Sequence, residues 1–483
     1  MEMGKRILIA NRGEIAIRIA RTVRELNYVA IGLWTENEPH APHLEYCDEW
    51  VKLEGKTRAE TYLNIEQIVN ICKKYKVDGV HPGYGFLSEN TDFARILNEN
   101  GIVFIGPNER AIDLMGDKAQ AKDIARKAKV PVVPGSLGEV EDLQEAMKVL
   151  KEIGYPVLLK AVAGGGGKGM RPCYNDEELK NNFEIVQREA KSSFGYGGLL
   201  IERLVANPHH IEVQVLGDKK GNCYYFFERE CSIQRRHQKI VEEAPSPFIG
   251  EDEELRKQIC ETAVKLARAV GYDSAGTVEF IMGDDKQFYF LEMNTRIQVE
   301  HGITEEITGF DLIACMIQAA FGKDLDVVSQ EAIQLHGHAI EYRICTEDPV
   351  TMLPAPGTVE GLQMTFPQGV RLDHCLYEGL TIGSDFDPMV AKLIVKGIDR
   401  KHAIRKIRSA LNGLVIEGTK TNIPLLKAIT DHPQFHVGLY TTDFLKLTKV
   451  NELLKEERQD DLLHWAVENV VMMANFQQMG NEL

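Results

Sequence analysis

Apolar residues along this chain change their spacing in a repeating order. Ile7 to Ala10 is a short apolar run that breaks at Asn11-Arg12-Gly13, and beyond it Ile15, Ile19, Val23 and Leu26 recur on one face of a helix. Val29 to Trp34 predicts the next strand, Ile65 to Tyr75 a helix, Gly79-Val80 a strand end and Val103 to Gly106 another strand. Alternation of this kind predicts a parallel sheet wrapped by helices, a Rossmann-like unit over residues 1–115.

The pattern then changes. A lysine-rich helix, Ala119 to Lys127, runs into Val130-Pro131-Val132-Val133-Pro134-Gly135, a cluster of breakers that predicts a hinge. Beyond it a smaller lobe, about residues 133–204, holds the strand Val157 to Ala161 and the densest glycine loop of the chain. The stretch after it mixes strands such as Ile211 to Leu216 with a helix over Glu254 to Val270, so that 116–334 forms one α+β unit. A mainly β domain is expected over 335–446. In the tail, 447–483, Leu463, Val467, Val470, Val471 and Ala474 fit one helical face. No internal repeat stands out.

Composition narrows the class. The 483 residues are 27% charged and 44% hydrophobic, as in ordinary globular proteins built from several cores. No apolar run approaches the roughly 20 residues that span a bilayer, and the apolar stretch near the start is too short for a signal peptide, so a cytoplasmic protein is expected. A net charge of −16 opposes a phosphate backbone and argues against nucleic-acid binding. The nine cysteines are scattered and never in Cys-x-x-Cys spacing, which suggests neither a disulfide framework nor a zinc site.

Chemistry concentrates in three segments. Gly164 to Gly169 has glycine at five of six positions, just after a strand carrying Lys160. Glycines let backbone N–H groups approach a phosphate, and Lys118 before the hinge adds to that reading. The Gly-Lys-Ser/Thr ending of a P-loop is missing, so this is a different phosphate device.

In the second segment, Phe290 to His301, strand alternation places Glu292, Asn294, Arg296, Gln298 and Glu300 on one face. Fully extended, Glu292 and Glu300 would lie roughly 26 Å apart, so the row serves two tasks or bends. Glu279 lies on the preceding strand, joined through the hairpin signal Gly283-Asp284-Asp285-Lys286, and antiparallel pairing brings it within a residue or two of Glu292. Two carboxylates that close need a proton or a cation between them, and with Asn294 they make an oxygen set suited to Mg²⁺ or Mn²⁺. Arg296 offers a planar fork for bicarbonate or a carboxylate, and Glu300 a proton acceptor. The third segment, Glu230 to Lys239, gathers Gln234, Arg235, Arg236, His237 and Lys239 in a net acidic chain and predicts an inward anion site. Glu145-Ala146-Met147-Lys148 matches the sequence on which biotin is carried, but Ala146, Val149, Leu150 and Ile153 have helical spacing, whereas a carrier lysine needs a hairpin tip.

These segments, with Ile9 to Ala16, His81 to Asn90, Gln234 to Pro245 and Glu292 to His301, resemble the biotin carboxylase family, whose members have an ATP-grasp fold. The resemblance covers about residues 4–445. It implies a Rossmann-like domain, an ATP-grasp domain with a mobile glycine-rich lid, and a mainly β biotin carboxylase domain. It implies that Lys118, Lys160, Glu202, Arg203, Leu204, His210, Gln234, His237 and Ile281 contact ATP, with Gly166, Gly167 and Met170 closing over it. Glu279, Glu292 and Asn294 would hold Mg²⁺ or Mn²⁺. Lys239, Arg296, Gln298 and Val299 would hold bicarbonate, Glu300 would deprotonate it, Arg343 would stabilise the biotin enolate, and Tyr84 would pack near the biotin ring. The expected activity is ATP-dependent carboxylation of biotin through carboxyphosphate. The biotin would sit on a separate carrier protein, with a carboxyltransferase subunit as a further partner and a homodimer as the assembly.

Gly302 stands where the family usually has proline, Phe386-Asp387-Pro388 replaces a commoner Tyr-Asp-Ser, and the tail exceeds the minimal domain. Two alternatives remain at this point: another ATP-grasp ligase making an acyl phosphate for an amine, and a nucleotide-sensing scaffold. The final acceptor, whether acetyl-CoA, propionyl-CoA, pyruvate or 2-oxoglutarate, is open.

Overall fold

The structure is a computed structural model that describes residues 4–136, 138–162, 170–194, 196–235, 238–449 and Leu454. The glycine run with Gly166 and Gly167, His237 and the apolar stripe expected at 463–474 lie outside the described residues.

Strands β1 (Arg6–Ile9), β2 (Val29–Trp34), β3 (Glu49–Lys52), β4 (Gly79–His81) and β5 (Val103–Phe104) form a parallel sheet in the order β3-β2-β1-β4-β5. Ile7, Leu8 and Ile9 have no exposed surface, as a parallel sheet covered on both faces requires. Helix α1 (Gly13–Glu25) buries Ile15, Ile19 and Val23 against it, and α2 (Ile65–Lys74) and α3 (Thr91–Glu99) start at Asn64 and Asn90, whose side chains accept from the backbone N–H groups of Gln67 and Phe93. Sheet order reverses between β1 and β4, and the crevice at their carboxyl ends is the usual ligand position in such sheets. There the Asn11 amide donates to the carbonyls of Pro82 and Tyr84, 2.7 Å each, and Gly13 turns into α1 at φ +66°.

Helices α4 (Glu109–Gly116) and α5 (Lys118–Lys127) lead out of this unit, α5 starting on an Asp117 cap. Then come α6 (Leu143–Ile153), β6 (Val157–Ala161), β7 (Met170–Cys173), α7 (Asp176–Phe194) and β8 (Leu199–Arg203), a lobe with a three-stranded antiparallel sheet ordered β7-β6-β8. The Glu145–Lys148 match sits inside α6 with Ala146 fully buried, which is no place for a carrier lysine.

Of the remaining strands eight build one large sheet. The first six of the eight are β9 (His209–Gly217), β10 (Cys223–Arg235), β11 (Gln238–Ala244), β12 (Ala275–Met282), β13 (Phe288–Asn294) and β14 (His338–Cys345), with helices α8 (Glu253–Ala269), α9 (His301–Thr308) and α10 (Leu312–Ala320) between them. After β14 come β15 (Gly357–Thr358), β16 (Gly361–Met364), β17 (Val370–His374), β18 (Thr381–Ile382), β19 (Met389–Gly397), α11 (Arg400–Asn412) and β20 (Leu414–Glu417), of which β15 pairs with β18 and β16 with β20 outside the large sheet. The order β13-β12-β9-β10-β11-β14-β19-β17 makes eight strands continuous, so the ladder between β11 and β14 crosses the boundary expected at 334/335. Among the described residues no helix is long and apolar enough to cross a membrane, and no two cysteines are bonded.

Candidate active site

A cavity of about 1040 Å³ lies between the crevice of the first sheet, the small lobe and the eight-stranded sheet. Lys118, Lys160, Met170, Glu202, His210, Gln234, Lys239, Glu279, Glu292, Asn294, Arg296, Gln298, Val299, Glu300, Arg343 and Tyr84 all line it. Three expected nucleotide contacts, Arg203, Leu204 and Ile281, are not among the residues lining it, and Arg203 is exposed on β8.

The hairpin of β12 and β13 places Glu279 directly opposite Glu292. Burial and the charge of Glu279 push the Glu292 carboxyl up, and among the described residues it makes no ion pair. Glu279 goes the other way: burial raises it, but Lys239 and His210 outweigh that and hold it well below the ordinary range. Its Oε1 accepts from Lys239 Nζ at 2.8 Å, Asn294 Nδ2 at 2.8 Å and Gln298 Nε2 at 2.9 Å, and His210 Nε2 lies 3.1 Å from Oε2. Asn294 thus turns its nitrogen to Glu279 and its oxygen to Arg296, 2.9 Å away, where the sequence suggested an oxygen beside the two carboxylates. The carboxylate draws the N–H donor.

The row does bend. β13 ends at Asn294, and the chain then turns through Thr295 to Val299 before α9 begins at His301. Three contacts remote in sequence impose this turn. Glu89 accepts from the Thr295 N–H and from Arg296 Nε, at 3.1 and 2.9 Å. Gln298 Oε1 accepts from the fully buried Arg229, which also donates to Gln214, Thr277 and Thr304 and forms an ion pair with Glu212. Lys392 donates to the Val299 carbonyl at 2.9 Å. The loop is thereby fixed before any ligand arrives.

Lys239 is the meeting point of the site. Its ammonium pairs with Glu212, with Glu279 and with Glu300 Oε1 at 2.7 Å, so its charge is held well above the ordinary range although burial opposes it. Ligand atoms of His210, Glu212 and Glu279 gather closely enough for a metal ion, but this ammonium already fills the gap between the two carboxylates. Glu300 is buried, and its other oxygen accepts from Arg343 at 2.9 Å. Burial raises its carboxyl, yet Lys239 and Arg343 bring it below the usual range, so Glu300 is held ionised.

Where the small lobe borders the cavity, Glu202 holds Lys160 and also Lys122, a lysine the sequence did not single out. Tyr84 donates to Glu14. Phe386 packs edge-on against Tyr62 and Phe86, with the Arg12 guanidinium 4.1 Å over its ring, so the departure from Tyr-Asp-Ser leaves an aromatic wall on the cavity. Sequence reasoning also missed Glu89, Glu212, Arg229 and Lys392. Glu212 and Gln214 alternate with Ile211, Val213 and Val215, and that polar row inside a strand was the available signal.

Comparison with known proteins agrees with this geometry. Residues 3–112 match the family model for the N-terminal domain of biotin carboxylase, 117–328 that for the ATP-binding domain of the carbamoyl-phosphate synthase L chain, and 341–447 that for the biotin carboxylase C-terminal domain. A biotin carboxylase of Halalkalibacterium halodurans is 47% identical over 443 residues, 92% of this chain and 97% of its own. The mitochondrial propionyl-CoA carboxylase alpha chain of Homo sapiens is 48% identical over 444 residues, 91% of this chain and 60% of its own. Among solved structures, the biotin carboxylase domain dimer of Hydrogenobacter thermophilus 2-oxoglutarate carboxylase, in complex with MgADP, ADP and bicarbonate, is 46% identical with a TM-score of 0.85, covering 93% of this chain and 99% of that one.

Proposed function

The chain belongs to the biotin carboxylase family, and we propose that it carboxylates biotin through a carboxyphosphate intermediate formed in the cavity around Lys239. It uses ATP, Mg²⁺ and bicarbonate, and its biotin is borne by a carrier protein. The observation that carries the mechanism is the single ammonium of Lys239 touching both Glu279, beside the carboxylate pair, and Glu300, which also holds Arg343.

Glu279 and Glu292, opposed carboxylates at a buried wall, fit a hard divalent cation, and Asn294 would join them by turning its oxygen from Arg296. When bound there, Mg²⁺ or Mn²⁺ neutralises charge on the nucleotide phosphates. Lys118, Lys160, His210 and Gln234 line the nucleotide side, with Glu202 fixing the Lys160 ammonium. Lys239, Arg296, Gln298 and the Val299 backbone form the bicarbonate cradle. Glu300 takes the bicarbonate proton, and the freed oxygen attacks the γ-phosphate, giving carboxyphosphate and ADP. Carboxyphosphate splits into CO₂ and phosphate, and phosphate takes the biotin N1′ proton. Arg343 neutralises the enolate oxygen, Tyr84 borders the ring, and the new N–C bond forms on CO₂. The dimer of the Hydrogenobacter relative supports a homodimer, and a carboxyltransferase subunit completes the proposed assembly.

The test is ATP hydrolysis by the full chain with bicarbonate and Mg²⁺, with and without free biotin. Stimulation by biotin is expected. Turnover indifferent to biotin but stimulated by an amine would instead identify an amine ligase.

A further inference from the structure

Glu242 on β11 and Glu341 on β14 are direct register partners in the middle of the large sheet, and both side chains have no exposed surface. Among the described residues three of their four carboxyl oxygens make no hydrogen bond: Glu242 Oε2 and both oxygens of Glu341. Only Glu242 Oε1 is engaged, accepting from Arg343 Nε at 2.6 Å. Glu341 Oε2 lies against Gly302, with Ile394 and the Arg371 guanidinium beside the same spot, yet among the described residues no donor is within hydrogen-bond distance of it.

Like charges directly opposed on neighbouring strands repel, and a buried carboxylate with both oxygens unpartnered is costly. A neutral carboxyl at Glu341 removes the repulsion and replaces the cost of a buried unpartnered charge with the smaller cost of a buried polar group. An ionised Glu242 is what a guanidinium at 2.6 Å requires. We propose that Glu242 and Glu341 hold one proton between them, on Glu341, and that this pair positions Arg343 for biotin. Glu242 clamps Nε while Glu300 clamps the far nitrogen at 2.9 Å. When Glu300 takes the bicarbonate proton its hold on Arg343 weakens, and the Glu242 clamp keeps the guanidinium aimed into the cavity. The inference rests on the roles proposed above for Glu300 and Arg343.

The charged surroundings agree. Glu242 is faced by Arg343, Glu300, Lys239, Cys231 and Glu341, and Glu341 by Lys392, Glu242, Arg343, Glu300 and Tyr84, with Arg371 beside it at Gly302. Burial lifts Glu242 to about 7 against the pull of Arg343, and lifts Glu341 well beyond the carboxylate range. As pH falls through about 7, Glu242 takes a proton and the clamp weakens; above it the clamp is intact.

The experiment compares wild type, E242Q, E242D and E341Q for free-biotin-dependent turnover between pH 6 and 8.5, with ADP binding and thermal melting confirming the fold. Expected are a roughly 10- to 100-fold loss of biotin-dependent kcat in E242Q together with flattening of the acid limb, partial recovery of both in E242D, and a wild-type acid limb in E341Q, which fixes the neutral form. An E242Q enzyme with the wild-type limb and rate, or an E341Q enzyme that loses as much as E242Q, would overturn the assignment. Wild type without biotin stimulation would overturn the functional reading itself, and the wild-type arm alone reveals that.

Discussion

Replacing Lys239 with methionine keeps the length of the side chain and removes the ammonium on which Glu212, Glu279 and Glu300 converge. At an effective dielectric of about 20, each contact near 2.8 Å is worth roughly 6 kcal/mol of Coulomb energy, offset by several kcal/mol of desolvation per ion. Leaving carboxylates buried without their counter-ion therefore costs about 3–5 kcal/mol, a large share of the roughly 5–15 kcal/mol that stabilises a domain. Acid supplies protons in place of the lost ammonium, so the deficit is greatest at neutral pH and shrinks as the three carboxyls protonate. Amide hydrogen exchange of β9 to β12, with thermal melting of the full chain between pH 5 and 7.5, reads this locally. Melting and protection like wild type at pH 7.5, or a deficit that does not shrink with acid, would refute the claim that these groups form one charge-balanced cluster. ATP turnover should be lost in the same variant.

Gly302 sits where an added Cβ would lie 2.5 Å from Ile394 Cδ1, so G302A should cost about 1–3 kcal/mol and I394V should relieve most of it, giving a favourable coupling in a double-mutant cycle of melting temperatures. E292Q should raise the Mg²⁺ concentration for half-maximal ATP hydrolysis at least about tenfold, measured by metal titration, since one of two opposed carboxylates is removed. Glu243 is held down at about 2 because Arg400 and His338 outweigh burial, so its pairing contributes on the order of 3 kcal/mol that is complete above pH 4.5 and lost as pH falls toward 2. R400M should thus be less stable than wild type at pH 7, with the difference narrowing toward pH 3 in chemical denaturation.

The extent to which the site is legible in the sequence follows from how far apart its partners lie along the chain. Pairing of Glu279 with Glu292 is a local hairpin property, readable from Gly283-Asp284-Asp285-Lys286 and two strand patterns, and the structure places them in register. Most of the first sheet is readable for a similar reason, since β1 and β2 are largely apolar runs, whereas β3, Glu49-Trp50-Val51-Lys52, mixes charged and apolar residues and gives no such signal. The turn after Asn294 is not, because strand alternation continues on paper through Glu300 while contacts from Glu89, Arg229 and Lys392 decide where the strand stops. A β-period pattern of polar residues states which side chains share a face only while the backbone stays extended. Likewise the Glu242–Glu341 pair is hidden, since nothing in either strand's own sequence says that β11 and β14 are neighbours.

That neighbour relation has a mechanical consequence. Lys239, two residues from the last common rung of β11, and Arg343, two beyond Glu341 on β14, ride on a single hydrogen-bonded lattice, whereas Lys160 and Glu202 belong to the separate sheet of the small lobe. A displacement of that lobe would change the enclosure of the cavity without altering the spacing between Lys239 and Arg343. Enclosure and alignment would thereby rest on different sheets, so that substitutions in one could be tolerated without disturbing the other.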